Sequence, residues 1–495
     1  MHVRTTAAAL AGLVVLCAVT AAQQTPAVQS RRWLVSELGL PGIDSGLREV
    51  TTPATELSAQ TLRERAAAVT ARPYLSDSVI VKFRPGTSIT AQRAMIALVD
   101  GTATPALSFA SFDIVALRPG ADPEAVAQQL AAQPDVEYAQ PRYVVGPAFV
   151  PNDPLYAQQW NFPAIDMERA WDINPGAASS ITVAVLDTGV AFRSGLVRFS
   201  TSSTTFIDVP FAAAPDLGGA DRFVSPRDFI WDDTSPFDLE GHGTHVTGTI
   251  GQLTNNSVGT AGMAFNVRIM PVKVIAGTWD SLLGAPPGTD DTVARGIRFA
   301  VDNGAKVLNM SLGRTGGPAP AIQDALSYAV SRGAFVAVAA GNDFLNGNPA
   351  QRPADLGPLL DGVVTVGAVG RSRQRAPYSS TGNYVEIAAP GGDQTSSGID
   401  GILQQTFNFD FVFALNRPPR FDVFNYLYAQ GTSMATAHVS GFAALLMQQG
   451  ITGPAAIEAI MKRYATDLGP AGRDDQYGSG LINVRAALRG MGLAR

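Results

Sequence analysis

Ile181-Thr-Val-Ala-Val-Leu186, followed at once by Asp187-Thr-Gly189, is a short run of nearly unbroken apolar residues that ends on a carboxylate. A strand apolar at successive positions must be buried on both faces, which is the habit of parallel sheets. The same pattern returns at 267–274, 306–312, 334–339 and 363–369, with helical apolar spacing at 292–303 and 320–332 between them. Strand, helix, strand in this order implies right-handed crossovers and a doubly wound, mainly parallel α/β sheet, expected over 148–490. Open sheets of this kind place their sites beyond the carboxyl ends of the strands. Asp187 stands at such an end, although a lone Asp there could equally cap the next turn.

The composition bounds what that domain can do. The chain has 495 residues with a formal net charge of −6, which gives no support for nucleic-acid binding. Hydrophobic residues make up 46% and charged residues 16%, a globular balance. The sole cysteine, Cys17, lies in a leader: Arg4 supplies a positive start, Ala7 to Val19 is apolar, and Thr20-Ala-Ala22 offers small residues for cleavage. This pattern predicts a signal peptide over 1–22 and a secreted protein, extracellular or periplasmic, whose mature form lacks disulfides and a membrane span. Residues 23–75 are rich in Gln, Ser, Thr and Arg and point to no function.

Between 76 and 147 the sequence predicts a small α+β unit. Ser78-Val-Ile-Val-Lys-Phe-Arg84 alternates as a strand and stops at Pro85-Gly86. A helix is expected over 90–99, a strand over 111–117, a helix from Asp122 to Leu130 and a strand over 136–143. The arrangement is ferredoxin-like. It suits an independent binding module, or a propeptide given its place between a leader and a large domain. Two stretches of the large domain fit the alternation poorly, 191–232 and 395–427. The second holds Phe407, Phe409, Phe411, Phe413, Phe421 and Phe424 and reads as an insertion, expected as a hairpin at the edge of a cleft.

Two further segments carry chemistry. Gly241-His242-Gly-Thr-His245 opens a helix, but no Glu lies between the histidines and no third ligand follows, so the zinc-helix pattern fails. Gly431-Thr-Ser433-Met-Ala opens an apolar helix, where backbone N–H groups are unpaired and the dipole is positive. By itself that serine reads as a cap. Asp187, His242 and Ser433, in that chain order and with these flanking residues, resemble the subtilisin-like serine peptidases over about 150–490. Asn309-Met-Ser-Leu-Gly313, Ala339-Ala-Gly-Asn342, Ile387-Ala-Ala-Pro-Gly391 and Tyr477-Gly-Ser-Gly-Leu-Ile-Asn483 agree with the same family.

The resemblance implies a serine endopeptidase working through an acyl-enzyme, most simply a broad degrading enzyme. His242 would be the general base, Asp187 would orient it, and Asn342 would be an oxyanion donor beside the Ser433 amide. Loss of such an Asn costs about 10²–10³ in kcat in a subtilisin, and a similar loss is expected of Asn342→Ala. Ser311, Leu312 and Gly313 would pair with the substrate backbone. Asp343 would lie at the rim of the P1 pocket and favour basic P1 groups slightly. Thr254-Asn-Asn256-Ser-Val258-Gly-Thr260 resembles the family's calcium loop, with Asn256 giving a side-chain oxygen, Thr254, Val258 and Thr260 giving carbonyls and Asp153 a carboxylate. The family's further acid is missing after Asp187, so an acid such as Asp208 would have to complete a structural Ca²⁺ site. Ala437 replaces the proline usual before His438. The 76–147 unit resembles the inhibitor-type propeptide, whose tail would occupy the cleft and be cut within about 142–150. Partners are therefore protein or peptide substrates and the chain's own propeptide, in a monomer. The rivals are a selective maturation protease and a non-catalytic scaffold of the same fold.

Overall fold

The computed structural model describes residues 74–104, 110–143, 149–200, 206–394, 398–413 and 418–490. The expected leader, most of the 23–75 segment and much of the expected cleavage stretch lie outside the described residues.

The small unit starts at Tyr74, ahead of the expected boundary. Its central strand Tyr74–Phe83 pairs antiparallel with Asp113–Ala116 on one side and Val136–Tyr143 on the other. A two-residue strand, Thr102–Ala103, extends the sheet, which is thus four-stranded where three strands were expected. Two helices, Ile89–Ala97 and Pro123–Ala131, begin where the sequence signals them. Ser88 Oγ accepts from Ala91 N at 3.2 Å and Asp122 Oδ1 from Glu124 N at 3.0 Å, each satisfying a free first-turn donor. Val79, Val81, Val115 and Leu130 are fully buried and form a separate apolar core.

The large domain is built on a seven-stranded sheet, all of whose pairings are parallel. In spatial order the strands are Ile387–Pro390, Val363–Val369, Phe335–Ala339, Val307–Met310, Thr182–Asp187, Arg268–Lys273 and Arg227–Asp228. Alternate residues of one strand feed two cores: Val183 and Val185 face one side, Ala184 and Leu186 the other. This is why the run at 181–186 is apolar without alternation. The chain order of the strands reverses at Thr182–Asp187, so a crevice must open at its carboxyl end. Asp187 is therefore at the switch point.

Both poorly fitting stretches are hairpins, Gly195–Ser200 with Phe206–Phe211 and Ile402–Phe407 with Phe424–Ala429. The first stretch also holds an edge strand of the main sheet, Arg227–Asp228, too short to leave a sequence pattern. Phe211 stacks on Phe237 at 4.4 Å between centroids and meets Phe407 and Phe421 at 5.6 and 6.0 Å. Phe407 and Phe421 are fully buried, each contributing roughly 1.5–3 kcal/mol. These phenylalanines form a core joining the two hairpins.

Candidate active site

Asp187 ends its strand with no exposed surface. Its Oδ1 accepts from Thr188 N at 2.8 Å and lies 2.6 Å from His242 Nδ1. His242 is the first residue of the helix His242–Gly251, directly after the N-cap Gly241, which has no side chain to cap it. The aspartate thus fixes the tautomer with Nδ1 protonated and leaves Nε2 toward the cleft. Burial works to lower the His242 pKa. The carboxylates of Asp187, Asp238 and Glu240 outweigh it and hold the imidazole at about 8.

Asp238 is a group that reading the sequence missed. Fully buried, it accepts from Gly241 N at 2.8 Å and Glu240 N at 3.0 Å through Oδ1, and from Thr244 N and Thr244 Oγ1 at 2.8 and 2.7 Å through Oδ2. Thr188 Oγ1 donates to Asp238 Oδ1 at 2.9 Å. One carboxylate therefore ties the residue after Asp187 to the start of the helix that carries His242. Its only signal in the sequence is an Asp shortly before a helix start, which many turns share.

Ser433 is the second residue of the long buried helix Thr432–Gln448, preceded by Gly431 at φ +155°, ψ 159°. That conformation is essentially confined to glycine. The helix start leaves Ser433 N–H without a protein acceptor among the described residues. Asn342 Oδ1 accepts from Thr432 N at 2.9 Å and from Thr432 Oγ1 at 3.0 Å, which turns its Nδ2 outward. A Cβ placed on Gly431 would sit 3.5 Å from Asn342 Nδ2 and 3.6 Å from Ser433 N, so both donors border one small volume.

Ser311 links this half to the sheet. Its Oγ donates to Ser433 O at 2.8 Å, Asn309 Nδ2 donates to Ser311 Oγ at 3.0 Å, and Ser440 Oγ donates to Asn309 Oδ1 at 2.8 Å. Asn309 and Ser440 were not recognised from the sequence as supports. The Ser433 hydroxyl itself donates to Ser311 O at 3.3 Å. The structure therefore brings Asp187 to His242, and Ser433 to Asn342 and Ser311, while the hydroxyl is turned to a backbone carbonyl. The two helices that carry His242 and Ser433 pack on one another.

The segment 311–313 continues beyond Val307–Met310 outside any strand ladder. Beside it lies a cavity of about 330 Å³ lined by Ile275, Leu312, Gly313 and Arg352. Another, of about 450 Å³, opens next to His242 between Glu240 and Gly277. The carboxylate of Asp343, expected at the rim of the P1 pocket, has two neutral donors of its own. Its Oδ2 accepts from Gln351 Nε2 at 2.9 Å and its Oδ1 from Asn346 Nδ2 at 3.1 Å. His245 and His438 are buried and held neutral, each lowered to about 4 by burial. His245 Nε2 faces the carbonyls of Ile402 and Leu427, pointing away from any shared site with His242.

The expected calcium loop is held by two acids. Asp153 Oδ2 accepts from Asn255 N at 2.7 Å, and Asp216 Oδ1 from Asn256 Nδ2 at 2.7 Å. Asp208 is not one of them: it pairs with Arg198 within the first hairpin, Nε to Oδ1 at 2.7 Å. Asp153 is 4% and Asp216 0% exposed, and among the described residues neither has a Lys or Arg partner. Two buried, uncompensated carboxylates and the oxygens of loop 254–260 fit a hard cation. Among the described residues no three His, Cys, Asp or Glu side chains gather as a metal site, so carbonyl and amide oxygens would have to supply the remaining ligands.

An acid–imidazole pair at the switch point of a parallel sheet, with a serine on a helix start between two free donors, defines a serine-hydrolase class of site. Residues 178–480 match the model of the subtilase family, and 61–142 match that of the fervidolysin N-terminal prodomain. The thermophilic serine proteinase of Bacillus sp. (strain AK1) is 33% identical over 379 residues, covering 76% of this chain and 79% of that protein. Thermitase of Thermoactinomyces vulgaris is 30% identical over 347 residues, covering 69% of this chain and 100% of thermitase. Among solved structures, a protease from Pseudoalteromonas arctica PAMC 21717 superposes with a TM-score of 0.55 at 29% identity, covering 69% of this chain and 99% of that one. Fervidolysin from Fervidobacterium pennivorans gives 0.53 at 25%, covering 84% of this chain and 61% of that one. The chain belongs to the subtilase family and is a serine endopeptidase with an N-terminal prodomain.

Proposed function

We propose that Ser433 is the nucleophile, His242 the general base and acid, Asp187 its orienting partner, and Asn342 with the Ser433 amide the oxyanion hole. The observation that carries this is the 2.6 Å contact of Asp187 Oδ1 with His242 Nδ1, on a helix packed against the one that carries Ser433, whose own N–H has no protein acceptor among the described residues. For catalysis the Ser433 hydroxyl must leave Ser311 O and turn to His242 Nε2. Ser433 Oγ then attacks the scissile carbonyl carbon while its proton passes to Nε2. The carbonyl oxygen becomes the oxyanion between Asn342 Nδ2 and Ser433 N. Collapse breaks the C–N bond, and the imidazolium proton leaves with the amine. Water repeats the sequence on the acyl-enzyme, and Ser433 regains its proton.

The two open cavities flanking this line suit an extended peptide laid along 311–313, and support broad cleavage of protein chains. The leader-like start, and relatives named extracellular protease in Xanthomonas campestris and extracellular basic protease in Dichelobacter nodosus, support export of the enzyme. The 76–147 unit acts as an intramolecular inhibitor until it is cut within about 142–150. Asp153, Asp216 and Asn256, with the carbonyls of Thr254, Val258 and Thr260, would hold a structural Ca²⁺, whose charge would offset the two buried carboxylates. It takes no part in the chemistry.

The test is labelling by a fluorophosphonate together with N-terminal sequencing of the exported protein. Wild type should be labelled once and start near 142–150; Ser433→Ala should be unlabelled and keep its prodomain. Label that survives in Ser433→Ala, or an active enzyme starting at Gln23, would refute the assignment.

A further inference from the structure

The chain contains two Asn-Gly dipeptides, Asn303-Gly304 and Asn346-Gly347. Asparagine before glycine is the pairing most prone to lose its amide nitrogen, because no side chain keeps the following backbone nitrogen from the carboxamide carbon. Both pairs are exposed. What separates them is the backbone amide that would attack. Asn303 ends the helix Asp290–Asp302 as its C-cap. Its N and Nδ2 donate to Phe299 O at 3.0 and 2.8 Å, and Gly304 N donates to Val301 O at 3.0 Å. There the attacking nitrogen is engaged and the carboxamide is turned back along the helix. Gly347 ends the short turn Phe344–Asn346 at φ +88°, and its N–H has no protein acceptor among the described residues.

The loop that carries Asn346 follows directly on Asn342, the proposed oxyanion donor, and Asp343 organises it. Asp343 O accepts from Asn346 N at 3.0 Å and from Asn348 N at 2.9 Å. Its Oδ1 accepts from Asn346 Nδ2 at 3.1 Å. Both ends of the loop are fixed to one neighbouring segment. Asp343 N donates to Ser380 Oγ at 3.1 Å, and the Asn348 carboxamide accepts from Thr381 N at 3.0 Å and donates to Thr381 O at 2.9 Å. Asn346 and Gly347 thus stand exposed between two clamps, one of which is the residue next to Asn342.

We propose that Asn346 is a deamidation site through which the folded enzyme ages and loses turnover. Gly347 N attacks Asn346 Cγ and gives its proton to solvent. The Cγ–Nδ2 bond breaks, the departing nitrogen takes up a proton from solvent and leaves as ammonia, and a cyclic imide remains. Water then opens the imide. Addition at Cγ breaks the new Cγ–N bond and gives aspartate. Addition at the main-chain carbonyl carbon of residue 346 breaks its bond to Gly347 N and gives isoaspartate. Either product ends the donation to Asp343 Oδ1 and sets a like charge against it. Isoaspartate also adds a methylene to the main chain between two fixed clamps, and the Asp343 turn beside Asn342 must absorb it. The site stands independently of the peptidase reading; its effect on turnover rests on that reading.

The experiment follows both sites by mass spectrometry of peptides from the full-length Ser433→Ala protein, held at mildly alkaline pH with and without denaturant. In the folded protein Asn346 should convert on the order of 10-fold faster than Asn303, which must first free a hydrogen-bonded amide at a helix end. Isoaspartate should be among the products. In denaturant the two rates should become similar. Gly347→Ala, whose Cβ would meet nothing within 4 Å, should suppress conversion at 346 and leave Asn303 unaffected. Should that variant fail to fold, the ratio of the two sites decides. Wild type is aged in parallel, and kcat per serine titrated by the fluorophosphonate should fall with the converted fraction, by on the order of 10-fold at full conversion. Asn303 converting as fast as Asn346 in the folded protein overturns the site. A constant kcat while Asn346 converts overturns its effect on turnover. A wild type that takes no label and cleaves no peptide overturns the peptidase reading and the effect on turnover with it, while the peptide map of Ser433→Ala still decides the site.

Discussion

At the scale of single residues the base is the part most open to measurement. A general base must be neutral to accept a proton, and His242 sits among the Asp187, Asp238 and Glu240 carboxylates, which hold it at about 8 against the opposing effect of burial. The active fraction therefore grows as pH rises through about 8, and kcat/KM should show an acid limb centred there instead of near the usual imidazole value of about 6.5. The sign for stability is the reverse. A raised pKa favours the folded, protonated form, so this contribution is complete below about pH 6.5 and disappears as pH rises through about 8. Asp187→Asn should lower the limb and also cut kcat by about 10⁴, because the tautomer is no longer fixed. A pH profile flat across the neutral range in wild type would contradict this account. Asp187, His242, Asn342 and Ser433 were legible because each lies within a distinctive local sequence. The contacts of Gln351 with Gly341 and Asp343 were not, because no spacing in the sequence links these segments. The position of Asp343 was visible in the sequence, its partners Gln351 and Asn346 were not.

At the scale of elements, the start of the His242–Gly251 helix is where sequence and structure part. A helix without a side-chain cap of its own usually frays. Here the cap comes from Asp238, which lies before the helix and also binds Thr188. It touches no substrate and acts as a positioning residue. Asp238→Ala should cost about 2 kcal/mol or more in stability, since three backbone N–H groups at the helix start and a pair of hydroxyls lose a charged acceptor. A merely structural role would stop there. The additional expectation is that the acid limb of kcat/KM moves to lower pH in Asp238→Asn and Asp238→Ala alike, because a carboxylate that raises His242 is gone. An unmoved limb in a folded Asp238→Asn enzyme would remove the electrostatic part of the argument. The strands of the main sheet were readable because burial on both faces writes continuous apolar runs. The hairpins were readable only as departures from that pattern. Phe407 and Phe421 meet Phe211 from far along the chain, and such long-range pairing leaves no period in the sequence.

At the scale of the whole molecule, the loop 254–260 is a junction. Asp153 reaches it from the first segment of the large domain, Asp216 from the region of the first hairpin, and Tyr426 from the second, its hydroxyl donating to Asp216 Oδ2 at 3.1 Å. Three stretches far apart in the chain thus converge on one turn through two carboxylates that carry no Lys or Arg partner. Burial pushes the Asp216 carboxyl up, and the donors from Gln252, Asn256 and Tyr426 only offset this in part. A divalent cation would compensate both charges and bind the folded chain alone, stabilising it by RT ln(1 + [Ca²⁺]/Kd), about 2.7 kcal/mol at a hundredfold excess over Kd. For a domain of this size that is a rise in Tm of several degrees. Melting of the Ser433→Ala protein, which cannot digest itself, should therefore rise with added Ca²⁺ and fall with a chelator. Asp216→Asn should lower Tm without calcium only modestly and should abolish the response to calcium. If wild-type Tm is the same in chelator and in excess Ca²⁺, the hydrogen bonds of Gln252, Asn256 and Tyr426 hold the junction unaided, and the loop has kept the family's sequence while its stability rests on protein groups alone.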